Sequence, residues 1–187
     1  MKKTFFFLLV FVCVLMAFAP PSFLIRAAQG VDVSETQDSR LLTIFWGIIG
    51  YTRWPDMKGT LRICLSGNDR HSAIIRQSAR SVELGRPVIV RSTPEDAASV
   101  CDIVYVSGAG TGEADELPHS FVGAPILTIG EGGRFCRIGG MFCLLPSTEG
   151  SSGKSIDRFA VNEKAISRSP LQINPQVLRL SKRIQER

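Results

Sequence analysis

Cys64, Cys101, Cys136 and Cys143 are the residues of this chain best placed to do chemistry. Thiols can cross-link, exchange with other disulfides or hold a metal ion, and spacing separates these uses. A four-cysteine zinc site needs close pairs with two to four residues between, and the sequence has none. A dithiol oxidoreductase carries C-x-x-C at a helix start, where the thiolate is stabilised. Here the closest pair, Cys136 and Cys143, has six residues between. Structural cross-linking is therefore the favoured use. The segment around that pair, Gly133–Pro146, reads GRFCRIGGMFCLLP. Its Gly139-Gly140 can supply the positive φ angles of a tight hairpin turn. Two short strands folded about that turn bring the cysteines to near-facing positions, three residues to each side. Facing Cβ atoms in a hairpin lie about 4.5–5.5 Å apart, against roughly 3.5–4.5 Å in a disulfide, a gap that a little twist closes. Four cysteines allow three pairings. The hairpin favours Cys136–Cys143 and leaves Cys64 with Cys101, a crosslink closing nearly forty residues. Loop entropy puts such a crosslink at about 3–4 kcal/mol.

Other catalytic templates fail on spacing. His71 and His119 are the only histidines, and neither has a ligand-spaced Cys or His partner. The nucleophile elbow G-x-S-x-G is absent. Gly108-Ala109-Gly110-Thr111-Gly112 resembles a phosphate loop but lacks the dinucleotide spacing, and Glu113, Asp115 and Glu116 follow it and would repel a phosphate. No catalytic residue, cofactor or metal is expected.

The compartment decides whether the thiols are oxidised. Lys2-Lys3 precedes an uncharged run, Phe5–Ala19, ended by Pro20-Pro21. That is the layout of a secretory signal peptide, with cleavage after Ala17-Phe18-Ala19 or near Ala27. Residues 1–28 are read as this leader and residues 29–187 as one domain. Lys2, Lys3 and Arg26, with no acid, account for three of the five formal positive charges, leaving +2 on residues 29–187. So weak a basic balance excludes a nucleic-acid-binding signature.

The elements that position the cysteines follow from periodicity. Leu41, Ile44, Phe45, Ile48 and Ile49 form one apolar helical stripe from Gln37 on, and Pro55 should stop that helix at Trp54. Strands are expected at Leu61–Ser66, Pro87–Arg91, Asp102–Ser107 and Ala124–Ile129. Between them come a helix capped by Asp69 and running to Val82, a short one opened by Ser92-Thr93-Pro94-Glu95, and an acidic one after Gly112. After the hairpin, Ser147–Lys154 is a loop. Ser155–Val161 should pair antiparallel with Met141–Pro146, and Asn162 should cap a helix with Ala165 and Ile166. Pro170–Asn174 reads as extended, and Pro175 opens a last helix with a Val177, Leu180, Ile184 stripe. The alternation predicts an α/β fold: one three-layer domain with a mostly parallel, Rossmann-like sheet, an antiparallel C-terminal hairpin edge and flanking helices. A Cys64–Cys101 bond further requires the first and third strands to be neighbours or nearly so, which a 2-1-3 type order allows.

Tyr51-Thr52-Arg53-Trp54-Pro55, Gly140-Met141-Phe142-Cys143-Leu144, Arg158-Phe159-x-Val161-Asn162, Ser167-Arg168-Ser169 and Ile173-Asn174-Pro175-x-Val177-Leu178, in this order with the four cysteines, resemble the YfiR family. Pro170 departs from the pattern, where glycine is expected after Arg168-Ser169. The resemblance implies a periplasmic, typically dimeric protein that is not an enzyme. It would bind the periplasmic part of a YfiN-like inner-membrane diguanylate cyclase and hold it inactive, until a YfiB-like outer-membrane lipoprotein sequesters it. It also implies the disulfides Cys64–Cys101 and Cys136–Cys143; from the cysteines alone, a reversible disulfide that senses the redox state of the envelope is a third use, besides structural cross-linking and dithiol catalysis. Leu171 and Ile173, in the extended piece, are the expected partner-binding residues. Two other classes compete: an envelope thiol-disulfide oxidoreductase, and a small-ligand module with its crevice near Ser66, Gly67 or Ser107.

Overall fold

The computed structural model describes residues 33–55, 59–107, 118–147 and 156–185, with side chains from Asp38 in the first helix to Ser181 in the last. The expected leader, the glycine-rich stretch 108–112, the acidic helix and the loop at 148–154 lie outside the described residues. Among the described residues, no helix is long and apolar enough to cross a membrane.

Strands β2 (Leu61–Ser66), β3 (Val88–Ser92), β4 (Ile103–Val106), β5 (Leu127–Glu131), β6 (Phe142–Pro146) and β7 (Ile156–Val161) form one sheet in the order β3-β2-β4-β5-β6-β7. The first five are parallel, and β7 runs antiparallel to β6 along the edge. The chain thus steps one way from β2 to β3 and the other way to β4, a doubly wound pattern compatible with the cysteine pairing. Helices α1 (Val33–Gly50), α2 (Arg70–Ser78), α3 (Ala97–Val100), α4 (Gly133–Arg137), α5 (Glu163–Ser167) and α6 (Pro175–Gln185) complete the unit.

Alternate strand residues build two cores. Ile63, Leu65, Ile103, Tyr105, Leu127, Ile129, Phe142 and Leu144 pack with Leu41, Phe45, Ile48 and Ile49 of α1 and Ile75 of α2. Cys64, Val104, Val106 and Cys143 pack with Ala97 of α3, Cys101, Phe121, Ile126 and Phe135 of α4. β4 is therefore buried along its whole length, as a parallel strand covered on both faces must be. At its start, the Asp102 carboxylate accepts from the Arg62 backbone N–H at 2.8 Å and from the guanidinium at 2.7 and 3.0 Å. The Asp102 carbonyl accepts from the Trp54 indole at 3.2 Å, which fixes that ring as a partly buried plug.

Several boundaries differ from expectation. α1 ends at Gly50, four residues before Trp54, because Thr52 turns its hydroxyl back onto the Ile48 carbonyl at 2.8 Å. Thr52–Arg53 then forms a strand, β1, pairing antiparallel with β8 (Gln172–Ile173). α2 stops at Ser78, short of Val82, and α3 starts at Ala97, after Thr93-Pro94-Glu95. The fourth parallel strand begins at Leu127, since Ala124 is held in a turn by Phe121. In α6, Val177 and Ser181 face inward while Leu180 is exposed. The expected stripe is displaced by one position of the turn, and the Ile184 side chain lies outside the described residues.

Candidate functional site

The glycine pair does not form the expected hairpin turn. Gly133–Pro146 is a helix followed by a strand, with Cys136 on α4 and Cys143 on β6. Gly139, at φ +104°, ends α4: its N–H reaches the Cys136 carbonyl, and the Gly140 N–H reaches the Phe135 carbonyl. That pair of bonds is the Schellman helix stop, which uses Gly-Gly as readily as a hairpin turn does. The Phe135 ring fills the space that side chains at Gly130 and Gly140 would occupy, since a Cβ there would lie 2.5 Å and 2.1 Å from it. Asn162 braces the arrangement by donating to the Cys136 carbonyl at 2.8 Å while its Oδ1 caps α5 at the Ala165 N–H.

Cys136 and Cys143 are joined with Cα atoms 5.8 Å apart, and Cys64 and Cys101 with Cα atoms 5.9 Å apart. The second crosslink ties β2 to the turn that feeds its neighbour β4. Cys64, Cys101 and Cys143 are buried and Cys136 is partly so. A thiolate attacking from solution has little access to these sulfurs, which is the setting of a structural bond.

The expected partner residues are placed unequally. Leu171 is in the core at 6% exposure. Ile173 is half-buried, opposite Thr52 in the β1–β8 pair. Tyr51, Arg53, Gln172, Ile173 and Asn174 line a cavity of about 400 Å³. At the strand ends, the Ser107 hydroxyl donates to the Ser66 carbonyl at 2.9 Å and fills the space beside Gly67. The space directly beside Gly67, one of the positions expected to line a small-ligand crevice, is thus filled by the chain's own atoms.

A polar cluster that spacing did not reveal sits at the C-terminal ends of the strands. His71 Nδ1 and Glu131 Oε1 are 2.7 Å apart, each side chain 15% exposed. The Tyr105 hydroxyl donates to the same carboxylate oxygen. Asp69, the N-cap of α2, accepts from the Ser72 N–H at 2.9 Å and completes the group. Asp69-x-His71 after one parallel strand, and Glu131 ending another, is the available sequence signal, because open α/β sheets gather polar groups at those ends. Burial pushes the Tyr105 phenol far up, helped by the neighbouring Glu131 charge, so it stays a donor. The hydrogen bond to Glu131 raises the His71 pKa above 6.5 against the opposing effect of burial; the Glu131 and Asp69 charges add to the rise and Arg70 detracts.

A folded-state pKa above the unfolded value has a definite consequence for stability. The stabilisation from the His71–Glu131 pair is whole below pH 6.5 and is lost as pH rises through the folded value. In metal-free buffer, the melting temperature should decline as pH is raised above about 6.5, and His71→Gln should remove that part of the decline. An unchanged profile in the variant would assign it to other groups.

One comparison with known proteins bears on these features. The model of a family described as YfiR/HmsC-like matches residues 42–182, a span containing both crosslinks, the polar cluster and the β1–β8 pair.

Proposed function

The chain belongs to the YfiR/HmsC-like family, and from that membership we propose that it is a non-catalytic regulator of the cell envelope. In this reading residues 1–28 direct export, the chain works in the periplasm as a dimer, and its target is the periplasmic part of an inner-membrane diguanylate cyclase resembling YfiN. It holds the cyclase inactive and so keeps cyclic di-GMP, and with it biofilm formation, low. A YfiB-like outer-membrane lipoprotein relieves the repression. The family match carries the proposal. Two largely buried crosslinks, one holding β2 to the turn before β4 and one holding α4 to β6, support it, because they help fix the surface that a binding repressor presents. An inhibitor that prefers the inactive cyclase shifts the equilibrium by its difference in affinity for the two states.

The docking surface is read onto the C-terminal portion around Ile173 and the exposed Tyr51 beside it, with Leu171 supporting that segment from beneath. Deleting the gene should raise cyclic di-GMP, and the protein should co-purify with a membrane cyclase from detergent-solubilised envelopes. Ile173→Asp, in a protein that keeps its circular-dichroism spectrum, should lose both effects. Full repression by that variant would move the surface elsewhere, and unchanged cyclic di-GMP in the deletion would end the cyclase reading.

A further inference from the structure

Asp69 and His71 come from the start of α2, and Glu131 from the far end of β5, sixty residues on from His71. One ligand atom from each lies within 4.8 Å of the others. We propose that these three side chains form a binding site for a divalent transition-metal ion. The inference is independent of whether the chain represses a cyclase.

The donor set is one imidazole nitrogen and two carboxylates, which suits zinc and its first-row neighbours better than calcium or magnesium. Zinc–nitrogen and zinc–oxygen bonds of about 2.0–2.2 Å place neighbouring ligands roughly 3–3.5 Å apart. The 2.7 Å between His71 Nδ1 and Glu131 Oε1 therefore needs to open by less than about 1 Å, with the ion taking the place of the proton between them. Asp69 is exposed, so its carboxylate can turn inward, one oxygen keeping the Ser72 N–H while the other reaches the ion. Tyr105 already orients the Glu131 carboxylate, the role that outer hydrogen-bond partners play at metal sites. The neighbouring Arg70 guanidinium is paired with Asp38 at 2.9 Å. Three protein ligands leave a coordination position open to water or to a side chain of another protein. The disulfide sulfurs, in the core on the opposite sheet face, take no part.

The test uses the tag-free chain, disulfides intact, stripped with a chelator and titrated with zinc by calorimetry at pH 7.5. Saturable binding of one ion per chain is expected. His71→Gln, Glu131→Gln and Asp69→Asn should each weaken it by more than the roughly 10–100-fold typical of losing an outer-shell partner. Asp69→Asn is the decisive variant, because asparagine caps a helix as well as aspartate does and the fold is kept. His119→Gln should leave the affinity unchanged. Absence of one-to-one binding, affinity retained in Asp69→Asn and His71→Gln, or loss in His119→Gln would each overturn the assignment.

Discussion

Phe135→Ala is expected to lower stability by about 3–5 kcal/mol, the range for emptying a fully buried aromatic site, seen as a lower urea midpoint at unchanged slope. The ring is fully buried among Val104, Val106, Phe121 and Ile126. It also occupies the room left by two glycines, with hypothetical Cβ atoms 2.5 Å away at Gly130 and 2.1 Å away at Gly140. Gly140→Ala alone should therefore be damaging by overpacking, typically about 1–3 kcal/mol. The two losses should not add. Once Phe135 is alanine, the new methyl at position 140 enters empty space, so Gly140→Ala should cost markedly less in that background. Equal cost in both backgrounds would mean that the ring is not what excludes a side chain at position 140.

Removing the Cys64–Cys101 bond should have an effect of similar size. Its cysteines are 37 positions apart, against 7 for Cys136–Cys143. Constraining the unfolded chain over such loops contributes about 4 kcal/mol for the long one and about 2.5 kcal/mol for the short one. Cys64→Ala with Cys101→Ala should thus be the more destabilising pair, although both pairs are largely buried. Denaturation of the two double variants under non-reducing conditions gives the comparison. The reverse ranking would show that α4 and β6 depend on their crosslink for more than loop closure.

The sheet was legible because its strands are short, apolar runs separated by turn residues, and because pairing Cys64 with Cys101 called for β2 and β4 to lie side by side or nearly so; they pair directly, with Cys64 opposite Val104. Asp69 and Asn162 were legible as caps, since capping depends only on near neighbours. What stayed hidden was settled at long range. Gly139-Gly140 fits a hairpin and a helix stop equally well. The choice falls to the Phe135 site, built partly by Gly130 on another strand. Thr52–Arg53 becomes a strand only because Gln172–Ile173 lies beside it. His71 and Glu131 escaped a search for ligand spacing because the packing of the start of α2 beside the end of β5, not proximity in the chain, brings them to 2.7 Å.

The β1–β8 pair ties the end of α1 to a segment about 120 residues downstream. Loops of that span close late, after shorter ones have formed, and slow the whole process. Meanwhile Leu41, Phe45, Ile48 and Ile49 belong to the first helix described, yet every strand they cover follows them in the chain. Among the described elements, the earliest-made apolar face is thus the one that waits longest for its partners. During synthesis it must be shielded by something other than the finished fold.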